Sequence, residues 1–325
     1  MAAARPSRAC TRAACLIGTH FTFTAVPSDD SLAWWALRAG VRETQRIDRL
    51  FSYWDSTLQV VKINRMAGIR PVVVDQEVYG LIARTLKISA LTGGAFDITF
   101  ASGDKIYNFD RQAHAALPDS ATVRRSVQRI GWQKVQLDPA THAVYLPEKG
   151  MRLNLAGVLQ GYGVRRAQEF MKRMGTAGGL LNGSDDVYCW GKQAGGSGWR
   201  IATGDPARPQ SVSSWLTVSD MAVVKAGNYE QYFTVAGKYY GHIINPHTGY
   251  PATGLRPVTM TCPDVGAGRR PRRRRVCAGA PGRPGDDKLP RGRGHHRDYR
   301  RRPNAGVARD AAQFLPQRGP RRQAP

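Results

Sequence analysis

The chain has 325 residues, 42% of them hydrophobic, and a formal charge of +24. That is enough apolar material for a large folded core, and the lack of any run of about 18 apolar residues excludes a membrane-spanning helix. The charge is not a general nucleic-acid signal, because residues 266 to 325 hold 18 Lys and Arg against 4 Asp, leaving only +10 for residues 1 to 265.

Residues 1–15 carry three arginines but no apolar stretch of about 7 residues or more before a cleavage site, so they read as an extension of a chain that stands as cytoplasmic. The five cysteines match neither a zinc nor a disulfide framework. From Gly18 to Val26 polar and apolar residues alternate, which predicts a strand ended by Pro27. Ser31 opens an amphipathic helix through Leu32, Trp35, Ile47, Leu50 and Phe51, followed by a loop from Trp54 to Asn64. Asp75 is placed to cap a second helix carrying Val78, Leu81, Ile82 and Leu86, stopped at Gly93-Gly94. Residues 95 to 150 are looser, with strands near Val135–Leu137 and Ala143–Leu146. A strand at Met151–Leu155 leads into a helix carrying Val158, Tyr162, Phe170 and Met174, ended by Gly175. Strand patterns follow at Gly179–Trp190, Trp199–Thr203, Ser214–Val218, before His242 and at Val258–Cys262. Strands and helices mix without regular βαβ alternation, so the class is α+β. Residues 266–325, rich in Gly, Pro and Arg without periodicity, read as a disordered tail.

Several segments could carry chemistry. Thr92-Gly93-Gly94-Ala95-Phe96-Asp97 is a helix stop that also permits close backbone approach beside an acceptor. Asn154 to Gly163, NLAGVLQGYG, is a strand-to-helix turn whose small residues can present N–H groups to an anion or allow tight helix packing. Asn182-Gly183-Ser184-Asp185-Asp186 is a turn whose acids are most simply solvated. In AGNYEQYFTVAGKYYGHIINPHTGYP, residues 226–251, His242 ends an aromatic strand just before two tight turns. Taken alone, that histidine reads as a strand cap or satisfied residue rather than a catalyst.

The order TGGAFDIT, NLAGVLQGYG, LLNGSDDVYCWG, WRIATGDP, then AGNYEQYF with HIINPHTGYPA, resembles the ApbE family, the FAD:protein FMN transferases, over roughly residues 16 to 265. The resemblance implies a single α+β flavin-transferase domain, related to the T-fold, that takes FAD and Mg²⁺. Such a protein moves FMN from FAD to a Ser or Thr hydroxyl of a target flavoprotein and releases AMP. It implies His242 as the base. It implies Ile17, Trp54, Ala95, Phe96, Asp97, Asn154, Gln160 and Ile243 as FAD contacts, and Gly157 as an oxygen donor to the metal. No nucleic-acid partner is implied.

The chain departs from the family in three places where Asn replaces Asp, at 154, 228 and 245, which weakens attraction for a hard cation. Gly266 to Gly279 stands where the family has a helix carrying metal ligands. Moving the codon families of that stretch one base forward permits Glu-Leu-Ala-Asp-Ala-Leu-Ala-Asp-Ala-Val-Phe-Val-Leu, so the tail reads as a frameshift product lacking those ligands. The DNA sequence around codon 265 tests this: no such helix in the shifted frame sinks it. The alternative function is a protein that binds FAD with weak or lost transferase activity.

Overall fold

The computed structural model describes residues 9–27, 30–51, 58–109, 116–183, 186–205, 208–226, 232–252 and 258–263. Trp54, Asp185, Asn228 and the Arg-rich segment from 266 onward lie outside the described residues. The chain begins with β1 (Cys10–Leu16), β2 (Thr19–Pro27) and α1 (Asp30–Phe51), then α2 (Gln59–Arg65), β3 (Val72–Val73) and α3 (Gln76–Leu91). It continues through α4 (Ser120–Ser126), β4 (Gln136–Asp138), β5 (Ala143–Tyr145) and α5 (Ala156–Arg173). The remainder is β6 (Thr176–Gly183), β7 (Asp186–Trp190), β8 (Trp199–Asp205), β9 (Arg208–Val218), β10 (Met221–Ala226), β11 (Tyr232–Val235), β12 (Lys238–Gly241) and β13 (Val258–Pro263).

The main sheet is antiparallel, in the order β1-β2-β6-β7-β10-β13. Smaller sheets pair β3-β5-β4, β8-β9 and β11-β12. The α+β class is therefore as expected. Residues 10–15, set apart from the domain in the sequence reading, form with Leu16 an edge strand of the main sheet.

Phe21, Phe23 and Ala25 of β2 alternate inward and meet Leu37 and Val41 of α1, Val164, Ala167 and Met171 of α5, and Trp190 of β7. The helices approach closely where Gly40 faces Met171: a Cβ at Gly40 would stand 2.8 Å from its Sδ. A second cluster gathers Ile47 and Phe51 at the end of α1, Val60 and Ile63 of α2, Val78 and Ile82 of α3, and Leu159 at the start of α5. The first turn of α5 thus adjoins this second cluster, while its later turns pack on the sheet.

A charged network bridges α1, α3 and α5. Arg46 reaches Glu43 at 2.9 Å and Glu77 at 2.7 Å, Arg166 reaches Glu43 at 2.9 Å, and Tyr162 donates to Glu77 at 2.6 Å. Burial of Glu43, only 5% exposed, would raise its pKa, but hydrogen bonds from Arg46 and Arg166 outweigh that and hold it below the ordinary 4.5. The hydrogen bond from Arg46 lowers Glu77 likewise. Both carboxylates have depressed values in the fold, so their contribution is complete above the ordinary glutamate pKa and is lost as pH falls through the lowered values. Glu43→Gln is expected to cost about 2 kcal/mol at neutral pH, below the usual cost for fully buried pairs because both arginines are partly exposed. Denaturant titrations from neutral pH down to acid will check this, and the variant's stability is expected to fall less steeply in acid.

Several local expectations are corrected. Residues 59–64 of the expected loop form α2 together with Arg65, and the Asn64 side chain donates to the Leu153 carbonyl at 3.1 Å and accepts from the Leu153 N–H at 2.7 Å. The expected strand at Met151–Leu155 has the predicted alternation, with Met151, Leu153 and Leu155 buried, but belongs to no sheet. Its backbone bonds go instead to Asn64, Ser102 and the Ile98 carbonyl. Trp35, expected on the core face of α1, is 58% exposed beside Arg38, because Ala33, Ala36, Leu37, Gly40 and Val41 face inward. On α5 the buried face is Leu159, Gly163, Val164, Ala167 and Met171, while Met174 is exposed. Asp75 occupies the N-cap position of α3 without a capping side-chain bond, because its carboxylate accepts from Gln59. Helix α4 and strands β3 and β10 were not anticipated.

Candidate active site

The 92–97 turn grows out of the end of α3. Thr92 closes the helix, and Gly93 and Gly94 take φ of 58° and 83°, with the Gly94 N–H donating back to the Ser89 carbonyl at 2.8 Å. Such backbone is open to glycine and strained for other residues. The Phe96 N–H donates to Thr92 Oγ1 at 3.2 Å. Asp97, 9% exposed, accepts at one oxygen from the Thr99 N–H and hydroxyl, each at 2.7 Å, and at the other from the Trp132 N–H at 3.0 Å. Thr99 Oγ1 in turn accepts from the Gly131 N–H at 2.8 Å. The carboxylate thus clamps the chain that sets Ala95 and Phe96, so what this turn offers a ligand is its backbone and the half-buried Ala95 and Phe96.

The start of α5 sits against this turn. Asn154 donates its N–H to the Ile98 carbonyl at 2.8 Å, and its Oδ1 accepts from the Ala156 N–H at 2.8 Å. Val158 and Leu159 both donate to the Leu155 carbonyl, which leaves the N–H of exposed Gly157 without a partner among the described residues. The Phe96 ring covers Gly157 so closely that a Cβ there would stand 3.3 Å from Cε2. Ile17, at the β1–β2 turn with φ of 51°, lies over Gly163, whose Cβ would meet Ile17 Cδ1 at 2.8 Å. Gln160 is half-buried, and the neighbouring Gly161 faces Asp186 and Tyr188 of β7. Asp186, expected as a solvated turn acid, therefore sits beside the α5 start.

The histidine loop is built by an antiparallel hairpin, β11–β12, that turns at Ala236 and Gly237 with φ of 48° and 74°. His242 follows Gly241 directly and is half-buried. The loop then folds on itself: Ile243 C=O accepts from the Ala252 N–H at 2.7 Å, Ile244 pairs with Pro251, and Gly249 N–H donates to the Asn245 carbonyl at 2.9 Å. Asn245 Oδ1 accepts from the His247 N–H at 2.9 Å. His247 Nε2 lies 3.0 Å from the Gly93 carbonyl, and its ring covers Gly94, where a Cβ would come within 2.9 Å.

The fold therefore links all three motifs. His247 joins the His242 loop to the 92–97 turn, and Phe96 and Asn154 join that turn to the start of α5. Ile17, Ala95, Phe96, Asp97, Asn154, Gly157 and Gln160 lie on this connected framework, with His242 and Ile243 on the loop that docks to it. Two further residues were not anticipated. His247 bridges two motifs from within the HIINPHTGYPA segment, and Trp132 carries a buried Nε1 without a partner among the described residues, close to Gly94.

The donor set was tested for a divalent cation. Among the described residues no three His, Cys, Asp or Glu side chains converge on a metal-sized site. The Asn154 and Asn245 oxygens already accept backbone N–H groups, and Asp97 is fully engaged. Hard cations favour free carboxylates, so these residues alone do not fit a magnesium site.

A family model for the ApbE family matches residues 17–268. The FAD:protein FMN transferase of Klebsiella pneumoniae (strain 342) is 30% identical over 208 residues, covering 64% of this chain and 64% of that protein. The FAD:protein FMN transferase of Treponema pallidum (strain Nichols) is 30% identical over 218 residues, covering 62% of this chain and 59% of that protein. The match thus spans less than two thirds of either relative's length. The crystal structure of the ApbE protein of Thermotoga maritima superposes with a TM-score of 0.70 at 27% identity, covering 79% of this chain and 82% of that one. The apo flavinyl transferase ApbE of Pseudomonas stutzeri shares the fold, with a TM-score of 0.66 at 21% identity, covering 80% of this chain and 81% of that one.

Proposed function

The chain belongs to the ApbE family, and from that premise we propose that it transfers FMN from FAD to a Ser or Thr hydroxyl of a target flavoprotein, releasing AMP. The observation that carries this reading is the docking of the His242 loop onto the flavin-motif turn through His247 and Gly93. In the reaction, His242 accepts the proton of the acceptor hydroxyl as that oxygen attacks the phosphorus on the FMN side of the pyrophosphate. The new phosphoester bond forms, the bond to the AMP phosphate breaks, and AMP leaves. The outward N–H of Gly157 at the positive end of α5 offers a hydrogen bond to a pyrophosphate oxygen. Ile17, Ala95, Phe96, Asn154, Gln160 and Ile243 supply the walls of the nucleotide site, and Asp97 holds its backbone in place.

Mg²⁺, when bound, would neutralise pyrophosphate charge. Gly157 can lend a carbonyl oxygen, but the described donors do not make a full site. Protein incubated with FAD, Mg²⁺ and a threonine-bearing acceptor peptide is expected to add one FMN to the peptide, read by mass spectrometry, with EDTA lowering the yield. Tight retention of FAD with no peptide adduct would instead establish a flavin-binding protein without transfer, the reading that the three Asn replacements favour.

A further inference from the structure

A cavity of about 270 Å³ lies beside the hairpin that carries His242, lined chiefly by Ile106, Tyr107, Asn108, Leu117, Pro118 and Phe233. Of these residues, Phe233 closes the AGNYEQYF motif and the others belong to no family motif. We propose that this cavity receives an apolar side chain next to the acceptor hydroxyl of the polypeptide substrate, an inference that rests on the transfer reaction proposed above.

Position is the first argument. Phe233 of β11 pairs with Tyr240 of β12, their rings stacked with centroids 5.3 Å apart and planes at 13°. His242 lies two residues beyond Tyr240, about 7 Å along an extended chain. The opposite wall is continuous with the same loop: Pro118 and Asp119 lead into α4, and Gly249 packs so tightly on α4 that a Cβ there would stand 2.9 Å from the Val123 side chain. One loop therefore touches the flavin-motif turn at His247 and the support of this cavity at Gly249.

Chemistry and size are the second argument. Phe109 and Tyr107 brace Phe233 from the side, at 5.4 Å and 5.9 Å between centroids. The Tyr107 hydroxyl is buried with no hydrogen-bond partner among the described residues. Burial, with Tyr250 nearby, pushes this phenol up to about 12, so at neutral pH it remains a hydrogen-bond donor. An unpaired buried donor weakens the fold unless a ligand completes it. The rest of the lining combines the apolar side chains of Ile106, Leu117, Pro118 and Phe233 with polar surface. The volume falls below the range of roughly 300–1,000 Å³ typical of sites for whole small-molecule ligands, so it suits a side chain better than a dinucleotide. An extended segment with its hydroxyl at His242 would place a neighbouring aliphatic side chain against Leu117 and Phe233 and a backbone carbonyl on Tyr107.

The test uses full-length His242→Ala protein with FAD, so that binding is measured without transfer. Two fluorescein-labelled peptides each carry one threonine, flanked in one by leucine and valine and in the other by aspartates. Anisotropy is expected to show the apolar-flanked peptide binding about tenfold tighter, the effect of burying one aliphatic side chain. Leu117→Trp, introduced in the same background, should remove that preference while FAD affinity, read from flavin fluorescence, stays within about twofold. Tyr107→Phe should weaken the peptide several-fold yet raise the melting temperature, a pairing that a purely structural hydroxyl would not give. Equal affinity for the two peptides, or a loss that falls on FAD instead, overturns the proposal. Wild-type protein is assayed in parallel for FMN on the peptide: no adduct there sinks the transfer reading, while the peptide preference still decides the cavity.

Discussion

His242→Ala is expected to lower FMN transfer by roughly 10²–10⁴-fold, the contribution of a positioned general base, while leaving FAD affinity little changed. The argument rests on placement. Gly241 ends β12, and the bonds from Ala252 to Ile243 and from Gly249 to Asn245 hold the loop after His242 through its backbone. Removing the ring leaves those backbone bonds and the His247 contact with the Gly93 carbonyl available. Transfer is read by mass spectrometry of the acceptor peptide and FAD binding by flavin fluorescence. Activity within tenfold of wild type would remove His242 from the base role, and a large loss of FAD affinity would reassign it to binding.

Gly94→Ala is expected to weaken FAD binding by about tenfold or more and to destabilise the fold by about 1–2 kcal/mol, the cost of a left-handed backbone with a Cβ. At φ of 83° the added carbon would stand 2.9 Å from His247 Cε1 and 3.3 Å from Trp132 Nε1. The His247 ring must then move off the Gly93 carbonyl, which separates the histidine loop from the turn that carries Ala95 and Phe96. His247→Ala removes the same link without backbone strain. If the clash is the cause, the double variant should lose much less FAD affinity than the sum of the two single losses, because residues in contact are not additive. Full additivity in FAD titrations would show that Gly94 acts on the nucleotide by another route.

The working relations of the candidate residues differ from what residue type suggests. Asp97 looks like a free acceptor in sequence, whereas its three hydrogen bonds make it the clamp of its own turn. Asn245 looks like a lost metal ligand, whereas its oxygen shapes the turn that presents His247. In both cases the neighbouring N–H groups decide the role, and those neighbours follow from backbone geometry.

By itself the sequence determined the mixed α+β class, the helices α1, α3 and α5, the strand β2 that precedes α1 and the family that the chain belongs to. Those properties are written in local periodicity, in turn-forming glycines and in motif order, all of which can be read along the chain. Only the tertiary structure decided that the segment 151–155 joins no sheet, that Trp35 faces outward, and that residues 10–16 complete the main sheet at its edge. It also decided which residues meet. His247 and the Gly93 carbonyl are 154 positions apart, and Phe96 covers Gly157 from a different element. The cavity beside Phe233 draws its walls from three separated segments. Contacts of that kind depend on how buried faces pack and on where each leftover backbone donor finds its acceptor, and neither is encoded within reach of a local pattern.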